Sequence, residues 1–129
     1  MNRLDEFVAK RHHFARRYDE MLTTLPLVLP AQTKDAHSAL HLYVVQVDRR
    51  RTNLNRGAVF EKMRELGIGV NVHYIPVHFQ PYYRALGFKP GDFPASEAYY
   101  SNAITIPLYA SMTESQQDHV VEALGKAFA

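Results

Sequence analysis

The segment GVNVHYIPVHFQPYY, residues 69–83, decides the fold and holds the densest group of functional residue types in the chain. Its first part, Gly69 to Tyr74, alternates between two sets of side chains, which predicts a β-strand. The two sets are Val70, Val72 and Tyr74 on one side and Asn71 and His73 on the other. Two prolines then stiffen the backbone, and we expect residues 75–93 to form a loop rich in proline and aromatic residues.

The residues before this segment predict a helix, a strand and a second helix. Apolar residues recur at three- and four-residue steps from Asn2 to Thr24, which is the pattern of an amphipathic helix, and two prolines end it. Leu40 to Val47 is rich in β-branched and aromatic residues and is predicted as a strand. A second helix is expected from Arg56 to Leu66, followed by Gly67 where a left-handed cap is favoured.

The residues after the segment add a short helix, a short strand and a final helix. Pro94 to Asn102 is predicted as a helix, because proline is well tolerated at the first helical position. Ile104 to Ile106 is a short apolar strand, and the last helix opens with a capping box between Thr113 and Gln116. The predicted fold class is α+β, with a small three-stranded sheet and helices packed mainly on one face.

Composition places the chain among ordinary globular proteins. It has 129 residues, 47% of them hydrophobic and 22% charged, so a single domain over residues 1–129 is expected. The absence of cysteine excludes disulfides and thiolate metal sites, and it agrees with a reducing compartment. No apolar run approaches the roughly 20 residues of a membrane helix. We therefore expect a cytoplasmic location and no membrane partner.

Charge gives little indication of a nucleic-acid partner. The formal net charge is only +2, although basic residues cluster at positions 10–17 and 49–51. A surface that binds single-stranded nucleic acid interleaves aromatic with basic side chains, and neither cluster does so. We interpret the clusters as a solvated helix face and a charged turn, and we expect no nucleic-acid binding.

The polar and aromatic residues of the quoted segment are of the types that bind small polar ligands. A stiff loop leaving a strand end is a common ligand wall, and Tyr, His, Asn and Gln side chains can hydrogen-bond hydroxyl groups. The same aromatic residues could equally serve only to cover the sheet, and spacing alone slightly favours that simpler interpretation.

Metal binding and catalysis have less support in the sequence. His73 and His78 are five residues apart across a proline, His37 and His41 are four apart, and neither pair lies on a predicted helix. No HExxH, GxSxG, P-loop or GxGxxG motif occurs, and the lysines lie in predicted helices or polar loops. We expect no metal site and no catalytic residue in this chain.

Seven pieces of the sequence, in this order, resemble one family. They are RRYDE at 16–20, HLYVVQVD at 41–48, FEKMRELGIGV at 60–70, NVHYIPVHFQPYY at 71–83, FPASEAYY at 93–100, IPLY at 106–109 and TESQQDHV at 113–120. The chain resembles, over nearly its whole length, the C-terminal part of the DegT/StrS-type sugar aminotransferases. The fourth piece is most similar to the branch that aminates C4 of a UDP-linked 4-keto-6-deoxy-N-acetylhexosamine.

The resemblance implies a pyridoxal-phosphate (PLP) enzyme that moves an amino group from glutamate to a nucleotide-linked keto sugar in surface polysaccharide or amino-sugar biosynthesis. It implies a homodimer in which an N-terminal large domain holds PLP on a lysine and the small domain closes the substrate pocket. We expect that large domain to be missing here, so the chain should bind no PLP and be inactive alone. The residues carried over as substrate contacts are Asn71, His73, Tyr74, His78 and Gln80.

Two other function classes stay open. The first is a free-standing small-molecule-binding or regulatory α+β domain without catalysis, and the second is a purely structural interaction domain. The enzyme hypothesis expects surfaces that have lost their partners. Those surfaces should include part of the first helix and the tyrosine pairs Tyr82–Tyr83 and Tyr99–Tyr100.

Overall fold

The computed structural model describes residues 3–129, which form five α-helices and three strands. The helices are α1 (Leu4–Met21), α2 (Arg56–Glu65), α3 (Pro81–Ala85), α4 (Pro94–Asn102) and α5 (Glu114–Phe128). The strands are β1 (Leu27–Val28), β2 (Tyr43–Val47) and β3 (Ala103–Ile106), and a 3-10 turn spans Val77–Phe79. The predicted start of the first helix at Asn2 lies outside the described residues.

The three strands form one antiparallel sheet in the order β1-β2-β3. Leu27 pairs with Val47, and Tyr43 pairs with Ile106, so β2 is the central strand. The expected α+β class with a small three-stranded sheet is confirmed.

One face of the sheet packs against three of the helices. Along β2, Tyr43, Val45 and Val47 are buried while the residues between them are partly exposed. The helices complete one hydrophobic cluster with these strand residues. Their buried members are Phe14, Ala15 and Tyr18 of α1, Val59 and Met63 of α2, and Val120, Ala123, Leu124 and Ala127 of α5.

The prediction of a strand from Gly69 to Tyr74 is wrong. Only Asn71 bridges to β3, where its backbone exchanges hydrogen bonds of 3.1 and 2.8 Å with Thr105. The next positions of β3 cannot continue the ladder, because Pro107 has no amide hydrogen and the Ala103 amide donates to the end of α4. The third strand is instead Leu27–Val28, which the sequence does not signal because it has only two residues.

Two predicted cap signals are confirmed, whereas α1 ends at Met21, three residues before the predicted Thr24. Gly67 follows α2 with φ of 79°, in the left-handed region that favours glycine. At α5, Thr113 Oγ1 accepts from the Gln116 amide at 3.2 Å, and Gln116 Oε1 accepts from the Thr113 amide at 2.9 Å. The expected loop 75–93 contains the 3-10 turn and the five-residue α3, both too short to carry a periodic pattern. None of the described helices is long and apolar enough to cross a membrane.

Candidate functional site

The predicted site segment is attached to the sheet through His73. Its Nδ1 lies 2.7 Å from the hydroxyl oxygen of Thr105, a buried residue on the opposite face of β3 from the core residues Ile104 and Ile106. The ring of Tyr74 stands edge-on to the His73 ring at 4.5 Å between centroids, and the peptide bond between the two residues is cis. His73 therefore has one ring nitrogen fixed by the sheet.

A second attachment joins the segment to α4. His78 is only 6% exposed, and its Nε2 lies 2.8 Å from Oε1 of Glu97. The same carboxylate oxygen accepts the amide of Gly91 at 2.8 Å and the amide of Phe93 at 3.4 Å. Desolvation alone would raise the pKa of Glu97, but these hydrogen bonds outweigh it and hold the pKa below its ordinary value.

Aromatic rings surround His78 and form one side of a small cavity. The rings of Phe79 and Phe93 lie 4.4 and 4.8 Å from the His78 ring between centroids. The cavity has a volume of about 280 Å³. It is lined by Val77, His78, Tyr83, Phe88, Phe93 and Ser96. The cavity is mainly apolar, with His78 and Ser96 as its polar residues.

Large hydrophobic side chains are exposed along this part of the chain. They are Tyr74, Ile75, Val77, Tyr82, Tyr83, Leu86, Phe88 and Phe93. Of the side chains expected to be bare, Tyr82, Tyr83, Tyr99 and Leu4 are exposed. Tyr100 is half-buried, and the Arg56 guanidinium lies over its ring at 5.1 Å from the centroid.

The structure separates the five predicted substrate contacts into two groups. His73 and Tyr74 lie side by side near the sheet, and the Asn71 side chain before them is exposed. His78 instead turns inward to Glu97, and the exposed Gln80 is the N-cap residue just before α3. The binding roles of all five stay predictions.

Two residues that shape the site were not found from the sequence. Thr105 lies 32 residues from His73, and Glu97 lies 19 residues from His78. No local pattern predicts such contacts, although Glu97 belongs to the FPASEAYY piece of the family resemblance. Across residues 3–129, no three His, Cys, Asp or Glu side chains converge in a way that could hold a metal ion.

Comparisons with known proteins agree with the fold. The model of the DegT/DnrJ/EryC1/StrS aminotransferase family matches residues 1–125. The chain is 38% identical over 127 residues to the spore coat polysaccharide biosynthesis protein SpsC of Bacillus subtilis, and this match covers 96% of the chain and 33% of SpsC. The chain thus spans about a third of the length of the curated relatives it matches.

Solved structures give the same result. Spr1654 of Streptococcus pneumoniae, assigned as a sugar aminotransferase, superposes in its PLP form with a TM-score of 0.86 at 25% identity, over 99% of this chain and 34% of that one. DesV of S. venezuelae, in complex with a ketimine intermediate, superposes with a TM-score of 0.87 at 25% identity, over 97% of this chain and 33% of DesV. The chain therefore belongs to the DegT/DnrJ/EryC1/StrS aminotransferase family.

Proposed function

We propose that this chain is the C-terminal small domain of a PLP-dependent aminotransferase that transfers an amino group from glutamate to a nucleotide-linked keto sugar. Family membership supports the amino transfer, and the name of SpsC supports a product used in surface polysaccharide. Solved PLP and PMP forms of Spr1654 support the cofactor. In this proposal the rest of the cytoplasmic enzyme supplies a large domain and a homodimer partner.

The residues of this chain do not fit the lysine that carries PLP. Such a lysine needs a desolvated setting that lowers the pKa of its amine. Four of the five lysines are exposed and paired with carboxylates, and the fifth, Lys34, is exposed in a loop. We assign no chemical step at the cofactor to this chain, and its proposed role is to bind and orient the sugar.

The observation that carries the proposal is the exposed aromatic surface of residues 74–93. This surface begins at the candidate sugar-binding residues His73 and Tyr74. Contiguous exposed hydrophobic side chains mark surfaces that meet a partner or a ligand. Here they begin at Tyr74, whose ring stands against His73. This combination supports a domain that closes on a polar ligand held by a second domain.

The chemistry of the polar groups suits a sugar. Nδ1 of His73 is fixed on Thr105, which holds the ring and directs Nε2 away as a hydrogen-bonding group. The exposed hydroxyl of Tyr74 and the exposed amides of Asn71 and Gln80 can each donate and accept hydrogen bonds. Hydroxyl and acetamido groups of a nucleotide-linked amino sugar present matching donors and acceptors.

The proposal is tested on the reading frame extended upstream of Met1. We expect a domain with a PLP lysine, and an enzyme that forms 2-oxoglutarate from glutamate when given a UDP-linked 4-keto-6-deoxy-N-acetylhexosamine. His73→Ala should raise KM at least about tenfold, which corresponds to one lost hydrogen bond of about 1.4 kcal/mol. His41→Ala, at an exposed position before β2, is the matched control and should leave KM unchanged.

Two results would contradict the proposal. One is a stop codon immediately upstream of Met1, and the other is an extended protein that forms no 2-oxoglutarate with any nucleotide-linked keto sugar. Either result would favour the free-standing ligand-binding domain. In that case, the isolated chain should bind a nucleotide sugar without PLP, and UDP-N-acetylglucosamine is the probe to titrate.

A further inference from the structure

One carboxylate oxygen gathers donors from two separate parts of the aromatic segment. Oε1 of Glu97 accepts a hydrogen bond from the ring nitrogen Nε2 of His78, a residue of the 3-10 turn. It also receives the amides of Gly91 and Phe93, which lie in the tight turn just before α4. Gly91 has φ of 97°, a conformation that side chains with a Cβ rarely adopt, so this turn is specified by sequence.

The three hydrogen bonds act on the same cavity. His78 and Phe93 both line the 280 Å³ space, and their rings pack on each other at 4.8 Å. The Glu97 carboxylate binds the ring nitrogen of His78 and the backbone amide of Phe93. The side chain of Glu97 thereby ties α4 to both ends of the loop that bears Tyr82 and Phe88.

We propose that Glu97 is a positioning residue, which holds His78 and the turn 91–93 in place so that the aromatic wall of residues 77–93 has one defined shape. This inference deepens the proposed function, because it names the group that arranges the substrate-facing side of the segment. In this arrangement, the buried His78 supports the aromatic wall through the hydrogen bond of its Nε2 to Glu97. His73 and Tyr74 present their groups outward.

The burial of the pair distinguishes it from the surface ion pairs of the chain. The side chains of His78 and Glu97 are 6% and 22% exposed, whereas those of Glu6 and Lys10 are 45% and 48% exposed. Exposed pairs contribute little, since water and salt screen them. Removing a partly buried carboxylate that accepts three hydrogen bonds should destabilise the local structure far more, because all three donors are left without their acceptor.

The test uses three variants of the 129-residue chain and needs no substrate. Glu97→Ala removes the acceptor, and Glu97→Gln keeps an oxygen in the same place. Glu65→Ala is the control, since the Glu65 side chain is 69% exposed and contacts Lys62 only at 3.8 Å. Amide hydrogen exchange at Gly91 and Phe93 and the side-chain nitrogen signals of His78 are measured by NMR.

We expect Glu97→Ala to speed exchange at Gly91 and Phe93 by about tenfold or more, the equivalent of one hydrogen bond of about 1.4 kcal/mol. The His78 Nε2 signal should shift, because its acceptor is gone. Glu97→Gln should keep both exchange rates within about threefold of the wild type, and Glu65→Ala should change neither observable. Exchange at Val45 in the central strand should be unaffected by every variant.

Three outcomes would overturn the proposal. The first is unchanged exchange and unchanged His78 signals in Glu97→Ala. The second is faster exchange spread equally over Val45 and the turn, which would make Glu97 a residue of general stability. The third is Glu97→Gln behaving like Glu97→Ala. Because no substrate is present, these results are independent of the 2-oxoglutarate assay, and the two proposals can fail separately.

Discussion

Two regions of this chain use the same hydrophobic residue types in opposite ways. Leu124 of α5 is fully buried among the helices and the sheet, whereas Leu86, just after α3, is 61% exposed. The core follows helix and strand periodicity and finds its partners within the chain. The aromatic segment 74–93 lacks that periodicity and leaves most of its large side chains bare. Hydrophobicity therefore predicts burial only where a periodic element supplies the opposing surface.

The matched leucines give the largest expected contrast. Leu124→Ala leaves a cavity in the core and should lower the free energy of unfolding by about 3–5 kcal/mol. Leu86→Ala removes an exposed side chain and should change it by less than about 0.5 kcal/mol. Urea unfolding followed by circular dichroism measures both. Equal losses in the two variants would mean that the segment is packed as firmly as the core, contrary to the comparison.

The sequence predicted the core side of the molecule well because its signals are local. The helices α1, α2, α4 and α5 each carry either an apolar repeat or a cap signal within their own residues, and all four were predicted. The sheet was predicted less well, because pairing depends on residues far apart. Gly69 to Tyr74 has the alternation of a strand, but it forms only one bridge to β3. Pro107 has no amide hydrogen to donate, and the Ala103 amide already donates to α4.

The sequence named candidate residues for the site but could not assign how they are arranged. His73, Tyr74 and His78 all lie in the segment that the sequence singled out, yet the structure faces His78 inward. The sequence offered no way to assign that direction, because the direction depends on Glu97, a residue of a later helix. Which side chains share a face is thus a property of tertiary contacts.

A second contrast compares two glutamines. Gln117 is fully buried between α1 and α5, where its Nε2 donates to the Phe14 carbonyl at 2.7 Å and its Oε1 accepts from Arg17 at 3.1 Å. Gln117→Ala removes both hydrogen bonds and a fully buried side chain, while Arg17 keeps its 2.7 Å contact with Asp118, and should cost about 1–3 kcal/mol of unfolding free energy. The exposed Gln80 is the control, and Gln80→Ala should fall within about 0.5 kcal/mol of the wild type.

Thermal and urea unfolding of the two variants test this contrast. If Gln80→Ala destabilised the chain as much as Gln117→Ala, the segment would contribute to the stability of the fold, and the division between the two regions would be wrong.

Thr105 connects the two regions, and its removal should have a smaller effect. Thr105→Val keeps the shape of the buried side chain and deletes the hydroxyl bound by His73. We expect the free energy of unfolding to fall by about 0.5–1.5 kcal/mol. Hydrogen exchange should rise in the segment and not in β2. The exposed Thr24→Val is the control. Uniformly faster exchange in Thr105→Val would show that this contact serves the sheet rather than the segment.

The smallest expected effect is a pH dependence that originates in the aromatic segment. The hydrogen bonds to Glu97 lower its pKa below 4.5. A carboxyl group with a lower pKa in the folded state stabilises the fold fully above its unfolded pKa, and this contribution is lost as the pH falls through the folded pKa. The Tm of the wild type should therefore fall more steeply than that of Glu97→Gln below about pH 5.

The comparison isolates Glu97 because the other acidic groups with lowered pKa values remain in both proteins. Asp48 beside Arg50 and Glu122 beside Lys126 have lowered pKa values whose causes do not include Glu97 or His78, and both are present in the wild type and the variant. His78, whose Nε2 lies 2.8 Å from Oε1 of Glu97, is also present in both proteins. Parallel melting profiles for the wild type and Glu97→Gln would mean that the three hydrogen bonds do not favour the charged carboxylate over its protonated form.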